Sequence, residues 1–167
     1  MNKYNKLEII APVIFAFVFI CTFIFSYFEP HIEDVTRDYV KAHVNTPGYV
    51  LVDVRPERVY AGKSPREGIP GGHIPGAISF PIANLRSAYA SSALAEAGVV
   101  KENTVILYCN TGADSGRFAD ALIRSLRFSP AKIKNYRGSV MDWIKDPDNK
   151  LLPPDHDKAN YGLMKGK

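Results

Sequence analysis

Cysteine is scarce in this chain: 167 residues contain only Cys21 and Cys109. Two thiols cannot build a thiolate zinc cluster, and His31, His43, His73 and His156 stand at no ligand spacing, so no metal is expected. No organic cofactor is expected either. Cys21 lies inside an apolar run suited to a membrane and cannot reach a Cys109 folded in water, so no intramolecular disulfide is available. Cys109 is therefore a free thiol and, by elimination, the candidate nucleophile. Charge of one sign is also thin. Lys and Arg number 21 against 17 Asp and Glu, a formal +4. The two signs interleave, and no basic run alternates with aromatics as a nucleic-acid groove requires, which argues against a nucleic-acid partner. The mild excess at Arg117, Arg124, Arg127, Lys132, Lys134 and Arg137 reads as a solvated helix face. Internal repeats are absent. The hydrophobic fraction of 46% excludes general disorder and is enough for one domain with a core plus a short appendage.

The appendage lies at the front. Ile9 to Phe28 carries no charged residue and, at helical rise, spans about 30 Å, the thickness of the hydrocarbon core. It ends in Ser26-Tyr27-Phe28-Glu29-Pro30 rather than in small residues suited to cleavage, so an uncleaved anchor is expected, with Tyr27 and Phe28 at the interface and Pro12 near the helix start. Lys3 and Lys6 precede the run, whereas Glu29, Glu33, Asp34 and Asp38 follow it against Arg37. By the positive-inside rule, residues 1–8 are cytoplasmic, 9–28 cross the bilayer, and the domain at 29–153 is extracytoplasmic, periplasmic or on the outer face. A polar tail, 154–167, closes the chain.

Within the domain, Ile32, Val35, Tyr39 and Val40 recur at helical intervals and stop before Asn45-Thr46-Pro47-Gly48, which predicts a first helix. Tyr49 to Val54 is a continuous run rich in β-branched residues, as in a strand buried on both faces of a parallel sheet. Residues 62–72 read as a surface loop, and Gly71 to Ile78, followed by Ser79-Phe80-Pro81, as a turn leading into a short strand. Ile82 to Ala97 is helical in composition, with Ile82, Leu85, Tyr89, Ala93 and Leu94 inward and Gly98 as its stop. Thr104 to Leu107 is a short buried strand, Phe118 to Phe128 an amphipathic helix, Lys132 to Tyr136 a strand, and Met141 to Ile144 a helical turn. Strands alternating with helices argue for an α/β fold with a mainly parallel sheet flanked by helices.

Cys109 thus falls on a turn between a strand and a helix. The first N–H groups of a helix are unpaired and its dipole favours negative charge there, so a thiolate is stabilised, and so is an anion beside it. Thr111, Gly112, Ser115 and Gly116 are small enough for the loop to curl and aim successive amides inward as a nest.

The order Val52-Asp53-Val54-Arg55, Gly72-His73-Ile74-Pro75-Gly76-Ala77, Tyr108-Cys109-x-x-Gly112, and Tyr136-Arg137-Gly138 with Trp143 and Leu152-Pro153 resembles the rhodanese (sulfurtransferase) family. Each motif alone is weak; together and in order they are specific, and they run from about Ile32 to Pro153. The resemblance implies a single rhodanese-like domain behind one N-terminal transmembrane helix. It implies that Cys109 takes a sulfane sulfur from a small, thiosulfate-like donor, becomes a persulfide, and passes the sulfur to a thiol or cyanide acceptor. Amides of Asn110, Thr111, Gly112, Ala113, Asp114 and Ser115 would hold the sulfur. His73 looks like a hydrogen-bonded turn residue and Trp143 like packing. Ser139 stands where the family often has a second glycine, with little consequence expected. Asp53 and Arg55 either support the loop from a neighbouring strand end or form an internal ion pair.

One position departs from the pattern. Many single-domain members carry Arg five residues after the cysteine, and here Asp114 stands there. A carboxylate facing the thiolate would repel an anionic donor; turned away, it would cap the following helix. Thiosulfate turnover is expected to be weak, with Arg117 as a substitute cation. Cysteine phosphatases of the related fold need Arg at that place to clamp phosphate, which argues against that activity. Two other readings stay open: a non-catalytic rhodanese-like module that recruits a partner at the membrane, and a cysteine redox sensor.

Overall fold

The computed structural model describes residues 6–27 and 31–153, with side chains over 12–22 and 31–153. Residues 1–5, the expected end of the span at Phe28, and the expected polar tail 154–167 lie outside the described residues. Met1–His31 and Ile32–Lys167 form two compact units.

In the first unit, α1 (Lys6–Tyr27) is a helix of 22 residues. Its described large apolar side chains, Val13, Ile14, Phe15, Phe17, Val18, Phe19 and Ile20, are all exposed. They fall on every side of the helix, which leaves no polar stripe among them. Pro12 is further inside than expected: the helix already begins at Lys6, so the missing N–H leaves the carbonyl of Glu8 without its intrahelical donor. Among the described residues no helix is long and apolar enough to cross a membrane.

The second unit contains β1 (Glu33–Val35), α2 (Arg37–His43), β2 (Tyr49–Asp53), α3 (Glu57–Tyr60), β3 (Ile78–Ser79) and a 3₁₀ turn, Ile82–Arg86. It continues with α4 (Ala90–Glu96), β4 (Thr104–Tyr108), α5 (Ala113–Arg124), a second 3₁₀ turn at Pro130–Lys132, β5 (Ile133–Tyr136) and α6 (Ser139–Trp143). The five strands pair side by side in the order β1-β5-β4-β2-β3, and every pairing is parallel. Alternate residues face opposite sides, as the pleat demands. Val52, Val105 and Leu107 pack with Leu94, Phe118, Ala119 and Leu122 on one face. Leu51, Ile106 and Tyr108 pack with Val40, Tyr60, Val140 and Trp143 on the other. The expected α/β sheet flanked by helices is therefore present, with both faces covered, which is why β2 and β4 read as unbroken apolar runs.

Two predicted helices are corrected. Ile32 to Val35 is not the start of the first helix: Glu33–Val35 is an edge strand paired with Lys134–Tyr136, and Thr36 caps α2 by accepting from the Tyr39 amide at 3.3 Å. Over so few residues, periodicity cannot tell an edge strand from a helical turn, and the pairing partner lies a hundred residues away. The Ile82–Ala97 helix is broken as well. The 3₁₀ turn ends at Ser87 in extended backbone and α4 restarts at Ala90, so Tyr89, expected inward, is 78% exposed.

Because all five strands run the same way, their C-terminal ends share one edge of the sheet. Asp53 and Tyr108 end side by side in register. From β2 the chain moves outward to β3, and from β4 it moves the opposite way to β5. The crevice between the ends of β2 and β4 is thus a point where the winding reverses, the usual place for a site in such sheets.

Candidate active site

Cys109 is the first residue after β4, and its side chain is 2% exposed. The turn that follows is tighter than expected, because α5 begins at Ala113; Asp114 and Ser115 therefore belong to its first turn rather than to a free loop. Gly112 makes this possible. It precedes the helix at φ 87°, and a side chain there would collide with the backbone of Arg137. Its N–H donates to Cys109 Sγ at 3.1 Å. The loop is fastened to the next crossover as well: the Cys109 carbonyl accepts from Val140 N at 3.2 Å and the Asn110 carbonyl from Met141 N at 3.1 Å.

Burial is the strongest single influence on the Cys109 thiol and pushes its pKa up. The Ser115 amide, the Thr111 amide, the Ser115 hydroxyl and the Gly112 amide together outweigh it and leave the pKa below the ordinary thiol value. These donors favour the thiolate form of the sulfur, and no imidazole among the described residues contributes to the shift. His73 is fully buried, stacks on Tyr60 at 3.8 Å, and holds Leu152 through paired backbone bonds of 2.9 and 2.8 Å. That is the structural role expected of it.

Of the expected substrate loop, Gly112 and Ser115 are buried around the sulfur, Asn110 is half-buried, and Thr111, Ala113 and Asp114 are exposed. Asp114 makes no side-chain cap to α5; its carboxylate binds Arg117 at 3.0 Å, with side chains 52% and 75% exposed. The cap expected of Asp114 is therefore replaced by a surface ion pair. Arg117 is corrected too, since its guanidinium is engaged by Asp114 rather than by the sulfur pocket.

Asp53 and Arg55 are fully buried at the end of β2. Arg55 grips both oxygens of Asp53, donates to the Gly72 carbonyl at 2.5 Å, and reaches Asn110 Oδ1 at 3.5 Å. Burial opposes the guanidinium charge, but the bonds to Asp53 raise its pKa overall. The guanidinium lies 5.7 Å over the Tyr108 ring, and Tyr108 Oη accepts from Ile74 N at 3.0 Å. Burial, reinforced by Asp53, holds the Tyr108 phenol neutral well above its usual pKa. The pair is the internal ion pair of one alternative, and towards the loop Arg55 Nη1 approaches Asn110 Oδ1 at 3.5 Å.

Sequence reasoning passed over three participants. Ser139, expected to matter little, is fully buried; its hydroxyl accepts from Cys109 N at 3.1 Å, donates to the Tyr136 carbonyl at 2.8 Å, and lies 4.0 Å from Cys109 Sγ. Its φ of +53°, in the left-handed region, explains why a glycine would also fit. Asn135 in β5 accepts from Ser115 Oγ at 2.7 Å and donates to Asp34 at 2.9 Å. Asn135 alternates with Ile133 on one face of β5, and an asparagine at such an apolar-face position is the available signal. Asp34 carries none, because the sequence around its edge strand has helical spacing. Among the described residues no group of His, Cys, Asp or Glu could hold a metal ion.

The chain is similar to characterised proteins in sequence and in fold. The chain spans 34% of a mitochondrial thiosulfate/3-mercaptopyruvate sulfurtransferase from Arabidopsis thaliana, to which it is 28% identical over 131 residues, 72% of its own length. Among solved structures, it superposes with a TM-score of 0.66 on EanB bearing ergothioneine covalently linked to a cysteine persulfide, at 20% identity over 74% of this chain and 28% of that one. A second match is the anaerobic ergothioneine biosynthesis enzyme of Chlorobium limicola with trimethyl histidine, at a TM-score of 0.62 and 21% identity over the same shares of the two chains. These two likenesses concern the fold. The model of the rhodanese-like domain matches residues 36–146, which hold every strand from β2 to β5 and the cysteine turn. The chain belongs to the rhodanese-like family.

Proposed function

We propose that the chain is a sulfurtransferase or persulfide carrier that uses Cys109. The observation that supports this most is the buried sulfur held by the Gly112 amide at 3.1 Å, with its pKa lowered by surrounding amides. The Cys109 thiolate attacks the sulfane sulfur of a donor. A new S–S bond forms, the donor's bond to that sulfur breaks, and the leaving group departs with the electron pair, as sulfite does from thiosulfate. The cysteine persulfide stays in the amide cradle, which holds the developing negative charge as an oxyanion hole does. An acceptor thiolate or cyanide then attacks the outer sulfur, and the bonding pair returns to Cys109 as thiolate.

Thiosulfate is a poor donor in this reading. It is a dianion, and the arginines described around the site already hold carboxylates: Arg55 holds Asp53, Arg117 holds Asp114, and Arg137 holds Asp34 at 3.2 Å. Intact mass spectrometry of the full chain in detergent, after incubation with thiosulfate, 3-mercaptopyruvate or glutathione persulfide, tests the proposal. A gain of one sulfur atom is expected, strongest with the persulfide, absent in Cys109→Ser and reversed by a thiol. Asp114→Arg should raise loading from thiosulfate. If no donor loads either protein, sulfur transfer is refuted and a binding module or redox sensor takes its place.

The tether is part of the same proposal: residues 9–28 hold the domain at a lipid bilayer, with the N-terminus cytoplasmic and the domain extracytoplasmic. The uncharged run and the Lys3/Lys6 excess before it support this reading. The full chain should stay with membranes through alkaline carbonate extraction, and protease added outside should reach the domain. Release of the intact chain by carbonate would overturn it.

A further inference from the structure

The Ser115 hydroxyl has one proton and two neighbours that could take it. Cys109 Sγ lies 3.7 Å away and Asn135 Oδ1 only 2.7 Å away. A hydroxyl donates once, and the shorter, oxygen-directed bond takes the proton. The orientation of the Asn135 amide is not free, because its Nδ2 donates to Asp34 Oδ1 at 2.9 Å. A carboxylate accepts only, so it fixes Nδ2 towards itself and Oδ1 towards Ser115. Asp34 is steadied in turn by Arg137 at 3.2 Å. We propose that Asp34 and Asn135 are positioning residues that hold the Ser115 proton towards Asn135, so that the hydroxyl must give up that bond to donate to the Cys109 thiolate and favours ionisation less than its place beside the sulfur would allow.

The amides of Gly112, Thr111 and Ser115 pull towards the thiolate, and this hydrogen-bond chain restrains that pull. When Cys109 ionises, the Ser115 hydroxyl turns to donate to sulfur and its bond to Asn135 breaks. No covalent bond changes, and the thiol proton leaves to solvent. The rotation couples the edge strand β1 to the charge state of the cysteine across three elements: β1 carries Asp34, β5 Asn135, and the first turn of α5 Ser115.

Other charged and titratable groups border the sulfur, and their partners are accounted for. Asp53 and Arg55 at the end of β2 neutralise each other, Asp114 and Arg117 pair on α5, and Arg137 after β5 holds Asp34. Asp142 of α6 accepts from Tyr136 Oη at 2.9 Å and approaches Lys145 at 3.7 Å. Of these, a neutral substitution at Asn135 touches only Asp34, which keeps Arg137.

The inference rests on Cys109 as the reacting sulfur but needs no sulfur donor for its test. The rate of iodoacetamide alkylation of Cys109 is followed against pH by peptide mass in the full chain carrying Cys21→Ser. Iodoacetamide reads the thiolate, so the midpoint of the profile is the thiol pKa. Asn135→Leu frees the Ser115 proton for sulfur and should lower the midpoint by about one unit, the size of a hydrogen bond to a charged group. Asp34→Asn, which leaves the core intact, should lower it in the same direction, because the Asn135 amide is then free to turn. Ser115→Ala should raise the midpoint and abolish both shifts. A midpoint that rises or stays in Asn135→Leu overturns the inference, as does an Asp34→Asn shift that survives in Ser115→Ala, which would mark simple charge removal. Shifted midpoints without sulfur loading would leave this inference standing and remove the proposed transfer; loading with unmoved midpoints would do the reverse.

Discussion

Arg55→Ala is expected to destabilise the domain by about 3–5 kcal/mol, the cost of leaving a buried charge without its partner. Asp53 is fully buried, and in the variant its carboxylate would keep only backbone and phenolic neighbours. Two further acceptors lose their donor at once, the Gly72 carbonyl and Asn110 Oδ1. The consequence therefore spreads from the end of β2 to the Gly-His-Ile turn and to the residue after Cys109. Urea unfolding should show a lower midpoint, and Tm should fall by about 10 °C or more. The double variant Asp53→Leu/Arg55→Met should recover part of the loss, because it removes both charges rather than one. It should not recover all of it, since the Gly72 carbonyl stays unpaired. A single variant within about 1 kcal/mol of the parent would show that the pair does not hold these segments together.

Gly112→Ala should be nearly as damaging to stability and worse for chemistry. The residue is at φ 87°, where an L side chain is strained, and its added methyl would meet the Arg137 backbone, which cannot rotate out of the way. Strain and overpacking together are expected to cost about 3 kcal/mol or more. Any relaxation must move the amide that donates to Cys109 Sγ, so persulfide loading should fall by about 100-fold, as when one donor of an oxyanion hole is removed. Gly98→Ala separates the two effects. Gly98 has a similar φ of +82° but open space around it, so only strain remains, about 1 kcal/mol, with loading unchanged. Equal loading losses in the two variants would mean that general instability, rather than the amide, is responsible.

The cysteine turn is legible in the sequence, and the reason is local. Whether a cysteine lies between a buried strand and an amphipathic helix, followed by residues small enough for a tight turn, is decided by a dozen consecutive residues. The central strands β2 and β4 were legible for a similar reason, since burial on both faces forces an unbroken apolar run. The edge strand was not. Glu33–Val35 has one buried residue of three, and only the docking of β5 makes it a strand. The break at Ser87 to Tyr89 was missed because composition there is compatible with helix; what opposes it is the extended backbone at Ser87.

The site divides along the same line. By itself, the sequence determined that Cys109 opens a turn, that Gly112 must be small, and that an acid stands five residues after the cysteine, because these are properties of neighbouring residues. Only the tertiary structure decided which way the charges face: Asp114 and Arg117 onto each other at the surface, Arg55 onto Asp53 beneath the turn. It alone brought Ser139 and the Asp34–Asn135–Ser115 chain to the sulfur. Parallel strands distant in sequence end at one edge of the sheet, so side chains a hundred residues apart become hydrogen-bond partners there, and no local pattern encodes that meeting.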